Sequence, residues 1–246
     1  MNIFLNKLKD YSKHKIYLFY LYINTSIKSL GRRSKINNYI KKNSIRKIHI
    51  GCSHSTRDGW LATDLIPKSK DVVYLDATDR FPFGNETINY IFCEHMIEHI
   101  NFLQARIMLK ECYRVLKPGG KIRIATPDLD KYLSLITDSS NINNKKISDF
   151  YLDKLFTAYP NDSNAAFHIL NLEMHSWGHQ YLYNNDTLKD QLAYNKFKDI
   201  TYCETSMSQD PNLQNLEMHA ESAEKNGIFD EVDFFNFETV ILEGSK

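Results

Sequence analysis

The pattern of apolar and polar positions predicts a series of short strands separated by turns and helices. In the first apolar run the β-branched Ile48 and Ile50 alternate with His49, and Gly51 ends the run. Strands that alternate with helices indicate an α/β fold built on a mostly parallel sheet. Seven strands are predicted, at residues 46–51, 60–65, 72–76, 88–93, 121–125, 197–205 and 237–242.

The strongest helix signal begins at Asn101. Asn101 and Gln104 have the spacing of a capping box, and apolar residues follow at helical intervals. We expect Lys117 to lie in the last turn and the run 118–120, Pro-Gly-Gly, to stop the helix. Other helices are predicted around 150–156, inside an insertion at about 137–180, and over 187–193.

The first connections between strands are short. Residues 52–59 join the first two strands, and residues 66–71 join the next two. A helical crossover between parallel strands needs about a dozen residues, so we expect these crossovers to be reduced to loops. Part of the sheet surface would then lack its helix, and the N-terminal segment is the candidate cover.

Residues 1–45 form a basic, aromatic extension, which we expect to be helical, ahead of a domain at 46–246. Residues 1–47 carry 12 Lys/Arg and one acid, whereas the rest of the chain has a net charge of −10. The apolar run 16–23 is too short to span a bilayer, which needs about 20 residues. The extension either lies on an anionic membrane surface, or is a solvated helix, or covers the sheet.

Four cysteines, Cys52, Cys93, Cys112 and Cys203, lie without any Cys-x-x-Cys pair. Three of them fall in apolar runs, where a free cysteine behaves as a small hydrophobic residue. This usage predicts a reducing compartment with no disulfide framework. We therefore expect a cytoplasmic protein, with the basic extension as a peripheral contact to the inner face of a membrane.

Acidic residues stand at the ends of three of the predicted apolar runs: Asp64, Asp76 and Glu94. Ligands of open α/β sheets bind outside the carboxyl ends of the strands, and carboxylates accept hydrogen bonds from ribose hydroxyls or an adenine amino group. The glycine turn at Gly51 lets the backbone approach such a ligand. The pattern predicts a nucleoside site, and the absence of G-x-G-x-x-G argues against NAD.

These residues resemble the core of a class I S-adenosylmethionine (SAM)-dependent methyltransferase, methyltransferase type 11-like, over roughly 46–136. The resemblance is closest to a small group with a short GC-x(6)-GW-x-x-x-D run and implies a Rossmann-like, doubly wound fold that binds SAM. The matching residues are Gly51-Cys52, Gly59-Trp60, Asp64, Phe81-Pro82-Phe83, Glu98-His99 and Tyr113-Arg114-Val115-Leu116-Lys117-Pro118-Gly119-Gly120.

The resemblance also implies where SAM binds. Gly51, Cys52 and Ser53 would meet its amino-acid end, although the family usually has glycine where Ser53 stands. Asp64 and Leu65 would meet the ribose. The adenine would meet Asp76, Ala77 and Thr78, and Glu94 completes the set.

Histidines near the methyl group and in the variable region are candidates for the catalytic base, since histidine titrates near neutral pH. They are His95, His175 and His179. His95 and His99 have the spacing of two zinc ligands on a helix. No third ligand is close in sequence, so no metal is predicted. For Glu98 and His99 we expect a structural role that ties the loop to the next helix.

The sequence supports three functions. The first is SAM-dependent methylation of a small-molecule or glycan-intermediate acceptor. The second is a non-catalytic SAM-fold binding protein or complex partner, favoured by Ser53 and the shortened crossovers. The third is a nucleic-acid-associated methyltransferase that uses the basic extension, although no Asn/Asp-Pro-Pro-Tyr/Phe motif occurs.

Overall fold

The computed structural model describes residues 31–53, 55–155, 164–217 and 237–246. The apolar run 16–23 and most of the predicted N-terminal helix lie outside these residues. Within them, no helix is long and apolar enough to cross a membrane.

Seven strands form one sheet in the order β3-β2-β1-β4-β5-β7-β6. β1 to β5 are parallel, and β7 is antiparallel to both β5 and β6. This confirms the predicted mostly parallel α/β sheet. The strands are β1 (Lys47–Ile50), β2 (Trp60–Asp64), β3 (Val73–Tyr74), β4 (Ile88–Glu94), β5 (Leu116–Pro127), β6 (Lys198–Tyr202) and β7 (Thr239–Ser245).

Six α-helices and two short 3₁₀ helices accompany the sheet in the described part of the chain. The α-helices are α1 (Arg32–Lys42), α2 (Phe102–Val115), α3 (Leu129–Thr137), α4 (Ile142–Leu155), α5 (Ala165–His175) and α6 (Asn185–Tyr194), and the 3₁₀ helices are Ile97–His99 and Pro211–Leu213.

The capping box at the start of α2 is confirmed. Asn101 Oδ1 accepts from Gln104 N, and Gln104 Oε1 accepts from Asn101 N, each at 3.0 Å. The predicted end is wrong, because α2 stops at Val115 and Lys117 belongs to β5. Leu116 is fully buried and pairs with Ile88 of β4. The helix therefore ends two residues before Pro118, because Leu116 already belongs to the sheet.

The loops after β1 and β2 contain no helix in their described residues, so the shortened crossovers are confirmed. On the face that these loops leave without helices, Trp60 and Phe92 pack against Leu213 and Leu216. The predicted cover was therefore wrong as far as α1 is concerned. Ile36 of α1 packs in the main core cluster, together with residues of α2.

Helices α3, α4 and α5 pack on one another through a second apolar cluster that includes Tyr132, Ile147, Tyr151 and Ile169. α3 begins directly after β5, so this group stands at the carboxyl edge of the parallel strands. The predicted helix near 150–156 corresponds to α4. The three helices thus place their side chains beside the loops that follow β4 and β5.

Candidate active site

The loops after β1 to β4 meet at one edge of the sheet and bring the predicted cofactor residues together. Gly51 has a φ of 72°, in the left-handed region that favours glycine. A Cβ atom at Gly51 would overlap the Met96 side chain, which packs directly on the turn. Glycine is therefore required here by both conformation and space.

Ser53 and Asp64 connect the loops after β1 and β2. Ser53 N donates to Asp64 Oδ2 at 2.8 Å, and Ile66 N donates to Asp64 Oδ1 at 2.7 Å. Each carboxylate oxygen has two lone pairs, so both keep acceptor capacity for a ligand. Leu65 follows with 48% of its surface exposed, which leaves it available to a ligand.

Cys52 lies between these loops but is buried, and its N–H donates to Thr63 O at 3.0 Å. Burial and the nearby Asp64 raise the pKa of the Cys52 thiol to about 12. The thiol therefore stays protonated at neutral pH and is no nucleophile. The buried side chain of Cys52 packs with Ala62 and Val72 and supplies no thiolate chemistry.

Asp76 begins the loop after β3. Its Oδ1 accepts from Thr78 N at 2.8 Å and from Thr78 Oγ1 at 2.7 Å, with Ala77 enclosed in the turn. This is the Asx turn that an aspartate in such a loop forms. The turn uses one carboxylate oxygen, and the other remains an acceptor for a ligand.

Glu94, at the end of β4, is only 7% exposed and lies 3.8 Å from Arg57 through its Oε2. The Arg57 guanidinium also stands over the Phe92 ring, at 5.3 Å from the centroid. Sequence reasoning missed Arg57, because a single arginine in a short polar loop carries no periodic signal. It places a positive charge beside the predicted cofactor residues.

His95 follows β4 with a φ of 44°, a left-handed conformation that is costly for a non-glycine residue. Its Nδ1 lies 3.5 Å from Glu98 Oε1. Burial opposes the charged imidazolium, but the Glu98 carboxylate outweighs it and raises the pKa of His95 to about 9. His95 is therefore positively charged at neutral pH.

Glu98 is fully buried in the 3₁₀ helix Ile97–His99. Its Oε2 accepts from Thr126 Oγ1 at 2.9 Å, whereas its Oε1 has no hydrogen-bond partner. Its backbone carbonyl accepts from Gln180 N at 2.8 Å and Tyr181 N at 3.2 Å. Glu98 thus has structural contacts, but to a distant segment rather than to the next helix.

His179 enters the same cluster from that distant segment. Its Nδ1 lies 2.6 Å from the carbonyl oxygen of Glu173, which can only accept, so Nδ1 carries the proton and Nε2 the lone pair. Burial lowers the pKa of His179, so the ring is neutral at neutral pH. His175, by contrast, is exposed at the last position of α5.

Glu173 was not predicted from the sequence, although it is 4% exposed and close to the histidines. Burial and the nearby Glu238 raise the pKa of the Glu173 carboxyl to about 7. Tyr132 and Tyr151 lie beside it, with their hydroxyl oxygens 2.9 Å apart. A glutamate in an amphipathic helix normally lies on the face exposed to solvent. No local sequence signal therefore predicts that Glu173 is buried.

One part of the chain matches a known protein family. Residues 44–124 match a family model described as a methyltransferase domain. No curated protein matches the chain. The matched residues contain β1 to β4, α2 and most of β5, and with them the four loops described above.

Solved structures resemble the chain weakly. A SAM-dependent methyltransferase from Archaeoglobus fulgidus is 16% identical, with 87% of this chain and 92% of that chain covered and a TM-score of 0.47. A possible histamine N-methyltransferase from Thermotoga maritima is 12% identical, with 96% and 97% covered and a TM-score of 0.45. Likenesses of this strength do not identify a substrate.

A third solved structure, phosphoethanolamine N-methyltransferase 2 of Haemonchus contortus in complex with S-adenosyl-L-methionine, is 15% identical with a TM-score of 0.44. The likeness covers 82% of this chain and 48% of that one, so this chain spans about half its length.

The chain has a mostly parallel seven-stranded sheet with acids at successive strand ends, and open sheets of this kind bind their ligands outside the carboxyl ends of the strands. Over residues 44–124 the chain is similar to a methyltransferase domain. In SAM-dependent methyltransferases the sulfonium of SAM supplies an activated methyl group.

Proposed function

We propose that SAM binds at the carboxyl edge of β1 to β4. The turn of Gly51, Cys52 and Ser53 meets its amino-acid end, because this turn stands at the carboxyl end of β1 and is joined to Asp64 through Ser53 N. Glu94 stands at the neighbouring strand end and completes this side of the site.

For the nucleoside end, we propose that Asp64 and Leu65 hold the ribose and that Asp76, Ala77 and Thr78 hold the adenine. The support is the acceptor capacity that both carboxylates keep after their turn hydrogen bonds are made.

We further propose that the methyl group goes to a small-molecule or glycan-intermediate acceptor that binds beside His95 and His179. The observation that carries this proposal is the polar cluster of the buried Glu98 with the partly buried His95 and His179. It follows directly after Glu94 and stands beside α3 to α5. Residues at this end of the sheet face the position where the methyl donor would lie.

In this proposal the protein's own work is alignment and exclusion of water, because the methyl group needs little covalent help. The left-handed backbone of His95 and its contact with Glu98 hold the ring in one place. His179 presents its Nε2 lone pair to the same space. His175 stays a prediction from the sequence.

The test has two stages. Calorimetric titration of S-adenosylhomocysteine into the full chain should show saturable binding below about 1 mM, which corresponds to about −4.1 kcal/mol. Turnover of SAM is then measured with a panel of amines, carboxylates and hydroxylated sugars. If S-adenosylhomocysteine does not bind at about 1 mM, the proposed SAM site is wrong.

A second candidate, a SAM-fold binding protein without turnover, is favoured by Ser53 in place of glycine and by the missing crossover helices. It predicts saturable S-adenosylhomocysteine binding together with no methyl transfer to any component of a cell extract. Transfer of radioactive methyl groups from SAM to any extract component would exclude it.

The N-terminal extension is proposed to contact an anionic membrane surface through the charge of residues 1–47. The support is the 12 Lys/Arg against one acid in that segment. Because Ile36 and Tyr39 of α1 are held by the domain, the test deletes residues 1–30 only. Loss of binding to phosphatidylserine vesicles, with neutral vesicles as the control, is the expected result.

A nucleic-acid contact through the same extension makes a different prediction. Retention on DNA or RNA would fall linearly with the logarithm of salt concentration and would disappear with the same deletion. If the deletion leaves nucleic-acid retention unchanged, the extension is not a nucleic-acid contact.

A further inference from the structure

Three potential metal ligands from two distant parts of the chain meet behind the end of β4. Glu98, His99 and His179 each offer one ligand atom, and these atoms lie within 4.8 Å of one another. Glu98 Oε1 and His99 Nε2 are 4.0 Å apart. The sequence alone does not indicate this group, because His99 and His179 are 80 positions apart and zinc ligands are usually recognised by short spacings.

The carboxylate oxygen of this group points to a ligand. Glu98 is fully buried, and its Oε1 is a buried oxygen with no hydrogen-bond partner. A buried carboxylate oxygen that makes only long ion-pair contacts, to His95 at 3.5 Å and to His99 at 4.0 Å, is incompletely compensated for its lost hydration. The His95 ring stands 3.5 Å from the same oxygen, too far for a good hydrogen bond, so room for a closer partner remains.

The atoms behind the ligands are already oriented. Glu98 Oε2 is held by the Thr126 hydroxyl at 2.9 Å, which turns Oε1 towards the histidines. His179 Nδ1 donates to the Glu173 carbonyl at 2.6 Å, which leaves the lone pair of Nε2 available to bind a metal ion. Metal-binding histidines almost always donate their other ring N–H to a carbonyl or carboxylate in this way.

The two backbone segments are also tied together. Glu98 O accepts from Gln180 N and Tyr181 N, and the Gln180 side chain donates to His99 O at 2.7 Å. Gly178 passes close to the His99 ring, since a Cβ at that position would lie 3.8 Å from His99 Nδ1, an ordinary van der Waals contact. The site therefore depends on a crossing of segments that the fold holds firmly.

We propose that Glu98, His99 and His179 bind one divalent transition-metal ion of the zinc type. Two imidazoles and one carboxylate are a zinc donor set, whereas Mg²⁺ and Ca²⁺ prefer oxygen ligands alone. In tetrahedral coordination at about 2.0–2.2 Å the ligand atoms stand about 3.4 Å apart. The ligand atoms need to approach one another by up to about 1.4 Å, which the His99 ring can do because 36% of its surface is exposed.

Three protein ligands leave the fourth tetrahedral position open on the exposed side of His99. A site of this form binds water or a polar group of another molecule at the fourth position. The His95 imidazolium and the ion would share Glu98, so the protein must bind zinc in competition with that contact. Residues proposed to hold SAM take no part in this site, whereas the Nε2 lone pair of His179 binds either the ion or the acceptor but not both.

The test uses the full chain, stripped with a chelator and titrated with Zn²⁺ alone in competition with a fluorescent indicator. One zinc ion per chain is expected. Loss of a ligand in His99→Gln or His179→Gln should weaken binding at least about 100-fold, since even outer partners are worth 10–100-fold. Thr126→Val should weaken it about 10-fold or more.

His175→Ala is the matched control, because His175 is an exposed histidine close to His179 in sequence. It should bind zinc like the wild type. Thermal melting of each chelator-stripped variant shows whether it folds. His99→Gln is the primary variant because its side chain is partly exposed. Zinc should raise the melting temperature of the wild type but not that of His99→Gln.

Titration with Co²⁺ identifies the ligand type. Visible d–d absorption of a tetrahedral ion without a thiolate charge-transfer band is expected, and it should vanish in His99→Gln. The proposal is overturned if the wild type binds no zinc, if the folded His99→Gln and His179→Gln proteins bind zinc as the wild type does, or if thiolate bands show that cysteine holds the metal.

Discussion

Ser53 and Asp64 join the first two loops of the carboxyl edge through a hydrogen bond of 2.8 Å between Ser53 N and Asp64 Oδ2. The other oxygen of the same carboxylate accepts from Ile66 N. Asp64 therefore shapes the two loops in addition to its proposed contact with the ribose. A change at this residue should affect both cofactor binding and the order of the loops.

Asp64→Ala is expected to weaken S-adenosylhomocysteine binding at least tenfold, or about 1.4 kcal/mol, because the ribose loses its carboxylate acceptor. Isothermal titration of the wild type and the variant measures this directly. Asp58→Ala, at an exposed turn before β2, is the control and should bind like the wild type. Equal affinities of Asp64→Ala and the wild type would mean that the cofactor lies elsewhere.

Gly51→Ala is expected to destabilise the fold by more than about 2 kcal/mol, since the left-handed φ alone costs about 1–2 kcal/mol and Met96 occupies the Cβ position. Urea unfolding of Gly51→Ala, Met96→Ala and the double variant separates the overlap from the φ cost. Gly119→Ala supplies the φ cost by itself, because Gly119 has a φ of 75° and nothing within 4 Å of a Cβ. If Gly51→Ala lowers the free energy of unfolding no more than Gly119→Ala does, Met96 does not pack on the turn as described.

Ser53→Gly is expected to leave stability unchanged or raise it by up to about 1 kcal/mol, because relief of the left-handed φ of 53° is partly offset by the greater chain entropy of glycine. The N–H that donates to Asp64 remains, so S-adenosylhomocysteine affinity should be kept. Ser53→Val, with a β-branched side chain, should lower stability by more than about 1 kcal/mol. Denaturant unfolding of both variants measures the change in the free energy of unfolding. If Ser53→Gly lowers this free energy as much as Ser53→Val does, the hydroxyl of Ser53 and not its φ determines stability.

Glu173 should make the stability of the protein fall as pH rises. Its pKa in the folded state is raised to about 7, above the unfolded value near 4.5, because burial and Glu238 disfavour the carboxylate. The folded state therefore binds more protons than the unfolded state between these values, so stability is fully present below pH 4.5 and is lost as pH rises through 7.

Glu173→Gln removes this dependence. Relative to the wild type, the variant should gain about 3 kcal/mol between pH 4.5 and pH 8, which is the free energy of a shift of that size. Urea unfolding of both proteins across this range gives the difference. Glu86→Gln, at a side chain that is 54% exposed, is the control, and a flat difference for Glu173→Gln would show that Glu173 is not desolvated.

Several features were predictable because they depend on neighbours in sequence. The capping box of Asn101 and Gln104 needs only residues three apart, and both of its hydrogen bonds form. The absence of crossover helices after β1 and β2 follows from the number of residues between the strands. The acids Asp64 and Asp76 were found at strand ends because apolar runs stop there.

Other features required the tertiary structure. The end of α2 was predicted from Pro118, but Leu116 pairs with Ile88 of β4 and ends the helix earlier. Leu213 packs on the sheet face at Trp60. The two residues are far apart in sequence, so no local pattern predicts this contact. Hydrogen bonding and burial between distant segments decide both.

The sequence by itself determined the parallel α/β sheet and the row of acids at its carboxyl edge, because periodicity and strand ends are local properties. Only the tertiary structure decided that Glu98 and His179 share one cluster and that Glu173 is buried beside them. The physical reason is that burial and the meeting of side chains depend on how the 3₁₀ helix after β4 crosses the segment after α5. That crossing is held by Gln180 and Tyr181 on the carbonyl of Glu98.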